Sequence, residues 1–326
     1  VKARKAVLLI AAAMLTVAPL PAAAQDYPSR NVTVVAPSAP GGMYSLFARF
    51  VAHRLEQRLG QSFVVENRPG SSSIVGAMSV IRGTHDGYTL MIMNSTGLAV
   101  NPNLRNSLPY DPVKDFAPIA LIGRIPEVVV VNAALPVHSI ADLAKLAKST
   151  PGGLSYSSPG PGTGSHLGGV LLASMLDAPF THVPYKGMQP AINDVAGGHI
   201  PFTISPLPFA IPLREAGKLR ALGVTTPERV SAIPDVPALA ELGLTGFSAM
   251  SWWMLVGPSG TPPAIVAKLH DDVRAVMADD GAQQELIRLG ILPVTSPPTE
   301  ALKPFIGAEI ARLGEIVKKA GLFGSQ

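Results

Sequence analysis

The sequence predicts an α/β protein built as a two-lobed clamshell, with two hinge crossings between the lobes and a C-terminal helical segment. Three observations carry that prediction. A strand, a Pro/Gly loop and a helix follow one another over Val32 to Leu59, and the same succession returns over Leu154 to Leu176. Two long extended stretches, 117–131 and 247–256, divide the chain where one lobe would pass to the other. Beyond Pro263 the apolar residues recur at helical spacing.

The first residues stand apart from this fold. Lys2, Arg4 and Lys5 form a basic stretch, Val7 to Leu20 an apolar one, and Ala22, Ala23 and Ala24 the small residues of a cleavage site. This pattern reads as a secretory signal peptide over residues 1–24, cut after Ala24, and places the mature protein in the periplasm. The apolar run is too short, and too broken by Pro19 and Pro21, to read as an anchor. The chain has 326 residues and no cysteine, so it forms no disulfide and carries no thiolate chemistry. Its formal charge of +4 falls to +1 without Lys2, Arg4 and Lys5. No basic, aromatic-rich patch remains, and nucleic acid is not an expected partner. The 32 prolines and 31 glycines sit among 47% hydrophobic residues, a mixture that makes tight turns rather than disorder.

In the first half, the β-branched run Val32-Thr33-Val34-Val35 reads as a strand, Pro37 to Gly42 as a loop, and Met43 to Leu59 as a helix. Phe63 to Glu66 is a second strand. After the turn Asn67 to Gly70 and serines 71 to 73, Ile74 to Arg82 reads as a helix. Asp86-Gly87 turns the chain into a third strand, Tyr88 to Met93, which ends in Asn94-Ser95-Thr96-Gly97. This alternation calls for a parallel sheet. The segment Asn101 to Phe116 is polar and turn-rich. Ala117 to Gly123 and Val128 to Val131 then read as strand, split at Arg124-Ile125-Pro126, and form the first crossing.

In the second half, Ser139 is placed to cap a helix over Ile140 to Lys148, with Asp142 in its first turn. Leu154 to Ser157 is a strand, Ser158 to Gly164 a second glycine-rich loop, and Ser165 a cap for the helix His166 to Leu176. Strands are expected at Phe180 to Val183, Ile200 to Ile204 and Leu219 to Thr225. Helices are expected at Pro190 to Ala196, Phe209 to Glu215 and, briefly, Leu239 to Leu242. Phe247 to Val256 is the second crossing. Two helices close the chain, Ala264 to Ala278 and Pro304 to Ala320. The lobes are therefore read as 25–124 plus 252–326 and as 125–251.

Both Pro/Gly loops lie at the carboxyl ends of strands, where open α/β sheets bind ligands. Each precedes a helix whose first N–H groups have no internal partner and carry the positive end of the dipole. Such turns hold anions, though an ordinary βα turn has the same shape. The candidate binding residues are Ser38, Pro40, Gly41, Gly42, Met43, Tyr44 and Ser45 on the first loop. Gly160, Gly162, Thr163, Gly164, Ser165 and His166 belong to the second. Asn94, Ser95 and Thr96 either donate to ligand oxygens or cap the following segment. Lys186 attracts an anion to the mouth or is a solvated strand end, and Tyr185 packs at a lobe edge or lines the site. Ser205 ends another strand facing the cleft, and Trp252 and Trp253 lie in the second crossing.

Catalytic readings fare worse. Ser165 and His166 are adjacent at a helix start and do not face each other, and no G-x-S-x-G elbow is present. Gly160, Gly162 and Gly164 follow a strand and precede a helix, but lack the G-x-G-x-x-G spacing of a dinucleotide site. The histidines lack metal-ligand spacing. No cofactor and no metal are expected.

By this point the residues carry a family likeness. Tyr27-Pro28-Ser29-Arg30, Ala39-Pro40-Gly41-Gly42, Val65-Glu66-Asn67-Arg68-Pro69-Gly70 and Asp86-Gly87-Tyr88-Thr89-Leu90 occur in that order. Leu108-Pro109-Tyr110-Asp111-Pro112, Asp115-Phe116-Ala117-Pro118, Gly162-Thr163-Gly164-Ser165-His166-Leu167, Val183-Pro184-Tyr185-Lys186-Gly187 and Ile233-Pro234-Asp235-Val236-Pro237 follow. Together they resemble the extracytoplasmic solute receptors of tripartite tricarboxylate transporters, the Bug-type receptors. The resemblance implies a periplasmic-binding-protein fold of type II-like form that captures a small organic acid between two loops, one per lobe. It also implies integral membrane transporter subunits, or a sensor, as partners; a monomer and no enzymatic activity are expected.

Three positions depart from the family pattern. Ser45 and Pro201 stand where the family often has an acid, and Ser205-Pro206-Leu207-Pro208 lacks the frequent acid of that loop. The implied pocket is less polar, with Met43 and Tyr44 able to close over an apolar body, or the changes are neutral drift on a solvated loop.

Overall fold

The computed structural model describes residues 27–247 and 249–326. The expected signal peptide and its cleavage site lie outside the described residues. The first half contains β1 (Val32–Ala36), α1 (Met43–Leu59), β2 (Phe63–Asn67), α2 (Ile74–Ile81), β3 (Thr89–Asn94) and α3 (Asn101–Leu104). A long strand, β4 (Phe116–Asn132), leads into α4 (Ile140–Ser149), β5 (Leu154–Ser158), α5 (Gly164–Leu176) and β6 (Phe180–Pro184). The chain continues through α6 (Met188–Ala196), β7 (Phe202–Pro206), α7 (Leu207–Glu215) and β8 (Leu219–Val224). It returns along β9 (Met250–Pro258) and ends in α8 (Pro263–Ala278), α9 (Asp280–Arg288) and α10 (Thr299–Lys319).

The strands form one nine-stranded sheet in the order β2-β1-β3-β9-β4-β7-β5-β6, with β8 also paired to β4. As the alternation requires, β1 is parallel to β2 and β3, and β5 is parallel to β6 and β7. The two crossings, β4 and β9, are antiparallel to each other. Along β1 the side chains alternate between faces, so Val34 joins one apolar core and Val35 the other. The first core holds α1, α8 and α9 residues such as Phe47, Leu269 and Leu286, and the second holds Leu98, Leu104 and Ile306. In the other half, Leu143 and Leu172 pack on one face and Ile192 and Leu207 on the opposite one.

Four expectations are corrected. The break at Arg124-Ile125-Pro126 is absent, because these residues pair with Trp252, Ser251 and Met250 and keep the strand whole. Pro118 costs little because it falls at a register shift of the ladder. The polar segment after Asn101 begins as helix: residues 96–100 form a π turn that runs into α3, whose Pro102 sits in its first turn, where no N–H is missed. The C-terminal part holds a third helix, α9, capped by Asp279, whose side chain accepts from Ala282 N–H at 2.8 Å. Pro304 lies inside α10 rather than at its start. The Ser139 cap is as expected, accepting from Asp142 N–H at 3.0 Å.

Phe47 is fully buried and stacks on Trp253 with ring centroids 4.8 Å apart. Truncation to alanine therefore removes a core aromatic and leaves a cavity. The Phe47→Ala protein should lose about 3–5 kcal/mol of unfolding free energy, read as a lower urea midpoint with an unchanged slope.

Candidate functional site

The loop at 37–42 leaves the carboxyl end of β1 and delivers the chain to α1. Gly42 caps that helix in extended conformation, with no side-chain hydrogen bond and no acidic residue in the first turn. Leu46 N–H reaches Gly42 O at 3.0 Å, and the N–H groups of Met43, Tyr44 and Ser45 have no acceptor among the described residues. Three free donors and a positive dipole end make an anion seat without any cationic side chain.

Behind this seat, Tyr44 Oη donates to Asn94 Oδ1 at 2.6 Å, and the same oxygen accepts Gly97 N–H at 3.1 Å. Tyr44 also meets Trp253 edge-on at 4.7 Å. Burial holds the Tyr44 phenol well above its ordinary range, with the Ser73 hydroxyl partly offsetting it, so the phenol acts as a donor. Ser71, Ser72 and Ser73 have φ of 47°, 51° and 76°, all left-handed. Each such residue costs on the order of 1–3 kcal/mol and is held by its surroundings. Here Asn101 Nδ2 donates to Ser72 O at 3.1 Å, and Ser73 Oγ donates to Ser72 O. These serines join the candidate site although the sequence offers only a run of three hydroxyls after Gly70 as a signal.

The second loop is fastened from behind. Ser158 Oγ lies 2.6 Å from His182 Nε2 and accepts Gly160 N–H at 3.1 Å. His166 Nδ1 accepts Gly162 N–H at 3.0 Å, and its ring stacks on His182 at 3.9 Å. Burial pushes both imidazoles down from 6.5 to about 4, and His182 adds a repulsive contribution at His166. The cap of α5 is Thr163, whose Oγ1 accepts from His166 N–H at 3.4 Å, not the expected Ser165. Thr163 precedes the first helical residue and has the extended backbone a cap needs.

The two halves meet at this loop. Thr96 Oγ1 donates to Gly162 O at 3.4 Å. Gly162 has φ of +74°, and a Cβ there would stand 2.6 Å from Leu104 Cδ2. Ser95, Thr96 and Gly164 share a small cavity of about 30 Å³ with Leu167, Met250 and Arg312. Arg312 is a cation the loops themselves lack, but Glu309 holds it through Nε at 2.7 Å and Nη2 at 2.8 Å. Glu127 on β4 is an ionisable group that the loops do not reveal. It is buried, and burial pushes its carboxyl up to about 8, with Ser165 pulling it partly back. An acid inside the apolar run Ile125 to Val131 is the signal that could have found it.

The structure thus ties Tyr44 to Asn94 and Thr96 to Gly162, and links the two pairs through Gly97, which follows Thr96 and donates to Asn94. Pro40 and Gly41 are exposed on the first loop, while Ser38 Oγ donates to Ala39 O and Ser38 O accepts from Asn67 Nδ2 at 2.9 Å. Gly160 and Thr163 bond to each other, with Thr163 Oγ1 donating to Gly160 O at 2.7 Å. Other candidates turn elsewhere. Met43 is buried in the α1 core, and Ser45 Oγ accepts from Arg49 Nε at 3.5 Å. Tyr185 Oη donates to Asp194 at 2.5 Å, Lys186 is exposed, and buried Ser205 donates to Pro206 O. Both Trp252 and Trp253 are buried.

Comparison with known proteins agrees with this architecture. A family model described as the tripartite tricarboxylate transporter family receptor matches residues 47–322. Protein BugT of Bordetella pertussis is 32% identical over 302 residues, covering 92% of this chain and 92% of that protein. An R. palustris protein solved with adipate superposes with a TM-score of 0.87 at 37% identity, over 90% of this chain and 98% of its own. MatC from Rhodopseudomonas palustris, with bound malate, gives 0.82 at 31% identity, over 89% and 100%.

The histidine pair makes the second loop acid-sensitive. Both rings bind protons less readily in the fold than in the unfolded chain, which therefore takes up more protons as pH falls from 6.5 towards about 4. Stability should drop through that window, measured as a falling urea midpoint. The His182→Gln protein should show a shallower fall.

Proposed function

The chain belongs to the tripartite tricarboxylate transporter receptor family, and on that premise we propose that it is a periplasmic receptor that holds a small organic carboxylate between two lobes. The observation that carries this reading is the pair of helix N-termini, α1 and α5, each without an acid in its first turn. The adipate and malate of its solved relatives are small carboxylates of the kind such ends hold.

The lobes are residues 25–124 plus 252–326 and residues 125–251. The change of partners along β4 supports that division: its residues up to Pro126 pair with β9, and from Glu127 onward with β7 and β8. Ligand carboxylate oxygens accept from the free N–H groups of Met43, Tyr44 and Ser45. The Gly160–Thr163 turn closes over the ligand, and Thr96 meets Gly162 as the halves come together. Ligand favours closure only by binding the closed form more tightly than the open one. Neutral donors and bridging waters suit a site that must also release its cargo to membrane transporter subunits.

The protein acts as a monomer and without catalysis. Ser158 and His182 stand close enough to look like a nucleophile and its base. Buried Ser158 instead ties down the loop through Gly160, and no carboxylate orients His182 among the described residues.

Gly162 offers the direct test. Gly162→Val forces a β-branched residue into left-handed backbone and against Leu104. The variant should melt cooperatively yet bind carboxylates more weakly by at least about tenfold. The readout is the thermal shift produced by a panel of mono-, di- and tricarboxylates. Wild-type affinity in a folded Gly162→Val protein would contradict the two-loop reading.

A further inference from the structure

The helix that follows the second loop has two apolar faces. None of the 13 residues of α5 is Asp, Glu, Lys or Arg, and a helix that is apolar all round is one that packs on more than one side. Leu172 packs in the core of its own lobe, with Leu143 and Phe202. Leu167 packs elsewhere. It is 6% exposed and lies in the second core of the first lobe, with Leu98, Leu104 and Leu313. Among the described residues it is the one member of that core from 125–251. Gly164, Leu167, Gly168 and Leu171 share a face of α5 by their spacing. Across a small cavity from them lie Leu313 and Ile316 of α10. Just ahead of the helix, Gly162 lies against Leu104 and Val100 of the first lobe.

This seam has little polar hold. Thr96 Oγ1 to Gly162 O, at 3.4 Å, is the one hydrogen bond between residues 158–176 and the first lobe among the described residues. The seam on the other side of the sheet is built differently. There Leu292 of the first lobe packs against the core that holds Ile192 and Leu207, and Phe209 of α7 packs against the core that holds Phe47. Backbone bonds fasten that side: Leu292 and Arg124 of β4 exchange hydrogen bonds of 2.8 and 2.9 Å. Gly290 sits so close to α7 that a Cβ would stand 2.7 Å from Leu207 Cβ. The side tied to the crossing strand suits a pivot, and the side held by apolar contact suits a joint that parts and re-forms.

We propose that Leu167 is a closing latch: as the lobes come together its side chain enters the second core of the first lobe, and that burial supplies part of the free energy of closure. This rests on the receptor reading and the lobe division above. In the open form the Leu167 face of α5 meets water, at a cost that follows the apolar area exposed. The ligand then has to supply only the remainder, which suits a seat made of neutral backbone donors. Leu167 is in this sense a positioning residue. Because it acts through the closed fraction, it scales the affinity of every ligand by one common factor.

Leu167→Ala tests this. The variant is checked for a cooperative melt and titrated by calorimetry with each carboxylate that raises the wild-type melting temperature. Its radius of gyration is measured by small-angle X-ray scattering with and without ligand. The ratio of closed to open form should fall about tenfold. If the empty wild-type protein is mainly open, binding weakens about tenfold, by the same factor for each carboxylate. If it is mainly closed, the empty variant has a larger radius of gyration, which ligand restores. Should Leu167→Ala not melt cooperatively, Ile316→Ala takes its place: Ile316 is half-buried on the other side of the seam, and about a threefold shift in the same direction is expected. A folded variant with wild-type affinities and a wild-type radius overturns the proposal. So do affinities that fall for one carboxylate and not for another, which would make Leu167 a ligand contact. Failure of the receptor reading looks different: no carboxylate would raise the wild-type melting temperature, and the proposal would fall with it.

Discussion

One strand has to satisfy two sets of neighbours. The 17 residues of β4 pair with β9 up to Pro126 and with β7 and β8 from Glu127 on, so the backbone hydrogen bonds of both halves run through a single extended segment. This constraint organises the rest of the molecule. Each half can keep its own parallel strands and its own pair of apolar cores only because the crossings absorb the change of partners. At the change itself, Glu127 lies against Gly164, the first residue of α5.

In the receptor reading proposed above, recognition rests on backbone more than on side chains. Neither glycine-rich loop contains Lys or Arg. What the loops offer are N–H groups at helix starts, held in place by side chains that never touch the ligand in this account. Tyr44, Asn94 and the left-handed serines brace α1 from behind. His166, His182 and Ser158 brace the loop before α5. Both braces depend on protonation state: a phenol kept protonated by burial in one, imidazoles kept neutral by burial in the other. Position and charge state of the seat are thus set by groups one layer away from it.

Much of the fold was legible because local pattern and tertiary role coincide. The valine run of β1, the helical spacing of α1 and the glycine-rich turns point to the same elements that form. The misreadings share a cause. Pro126 and Pro102 look like breaks when only the chain is seen, but one sits where the ladder changes hands and the other where a helix starts. The candidate site was partly legible for a related reason. Glycines and hydroxyls before a helix announce an anion seat, so Tyr44, Asn94, Thr96 and Gly162 could be picked out. Met43, Ser45 and Ser205 follow from the same pattern; their side chains turn to the core or to local partners, which leaves only the backbone N–H groups of Met43 and Ser45 facing the loop. Glu127 and Ser73 were passed over because their neighbours, Gly164 and Ser165 for the one and the turn before α2 for the other, are set by tertiary packing that no short-range pattern encodes.

The central claim is that backbone N–H groups at two helix starts take the ligand, and amide chemical shifts report on those groups directly. A two-dimensional amide spectrum of the protein would be followed while a carboxylate that raises its melting temperature is titrated to saturation. The account predicts that the largest shifts fall on Met43, Tyr44 and Ser45 at the start of α1 and on Gly164 and Ser165 at the start of α5. Saturating ligand that leaves these five amides in place while moving others would contradict it.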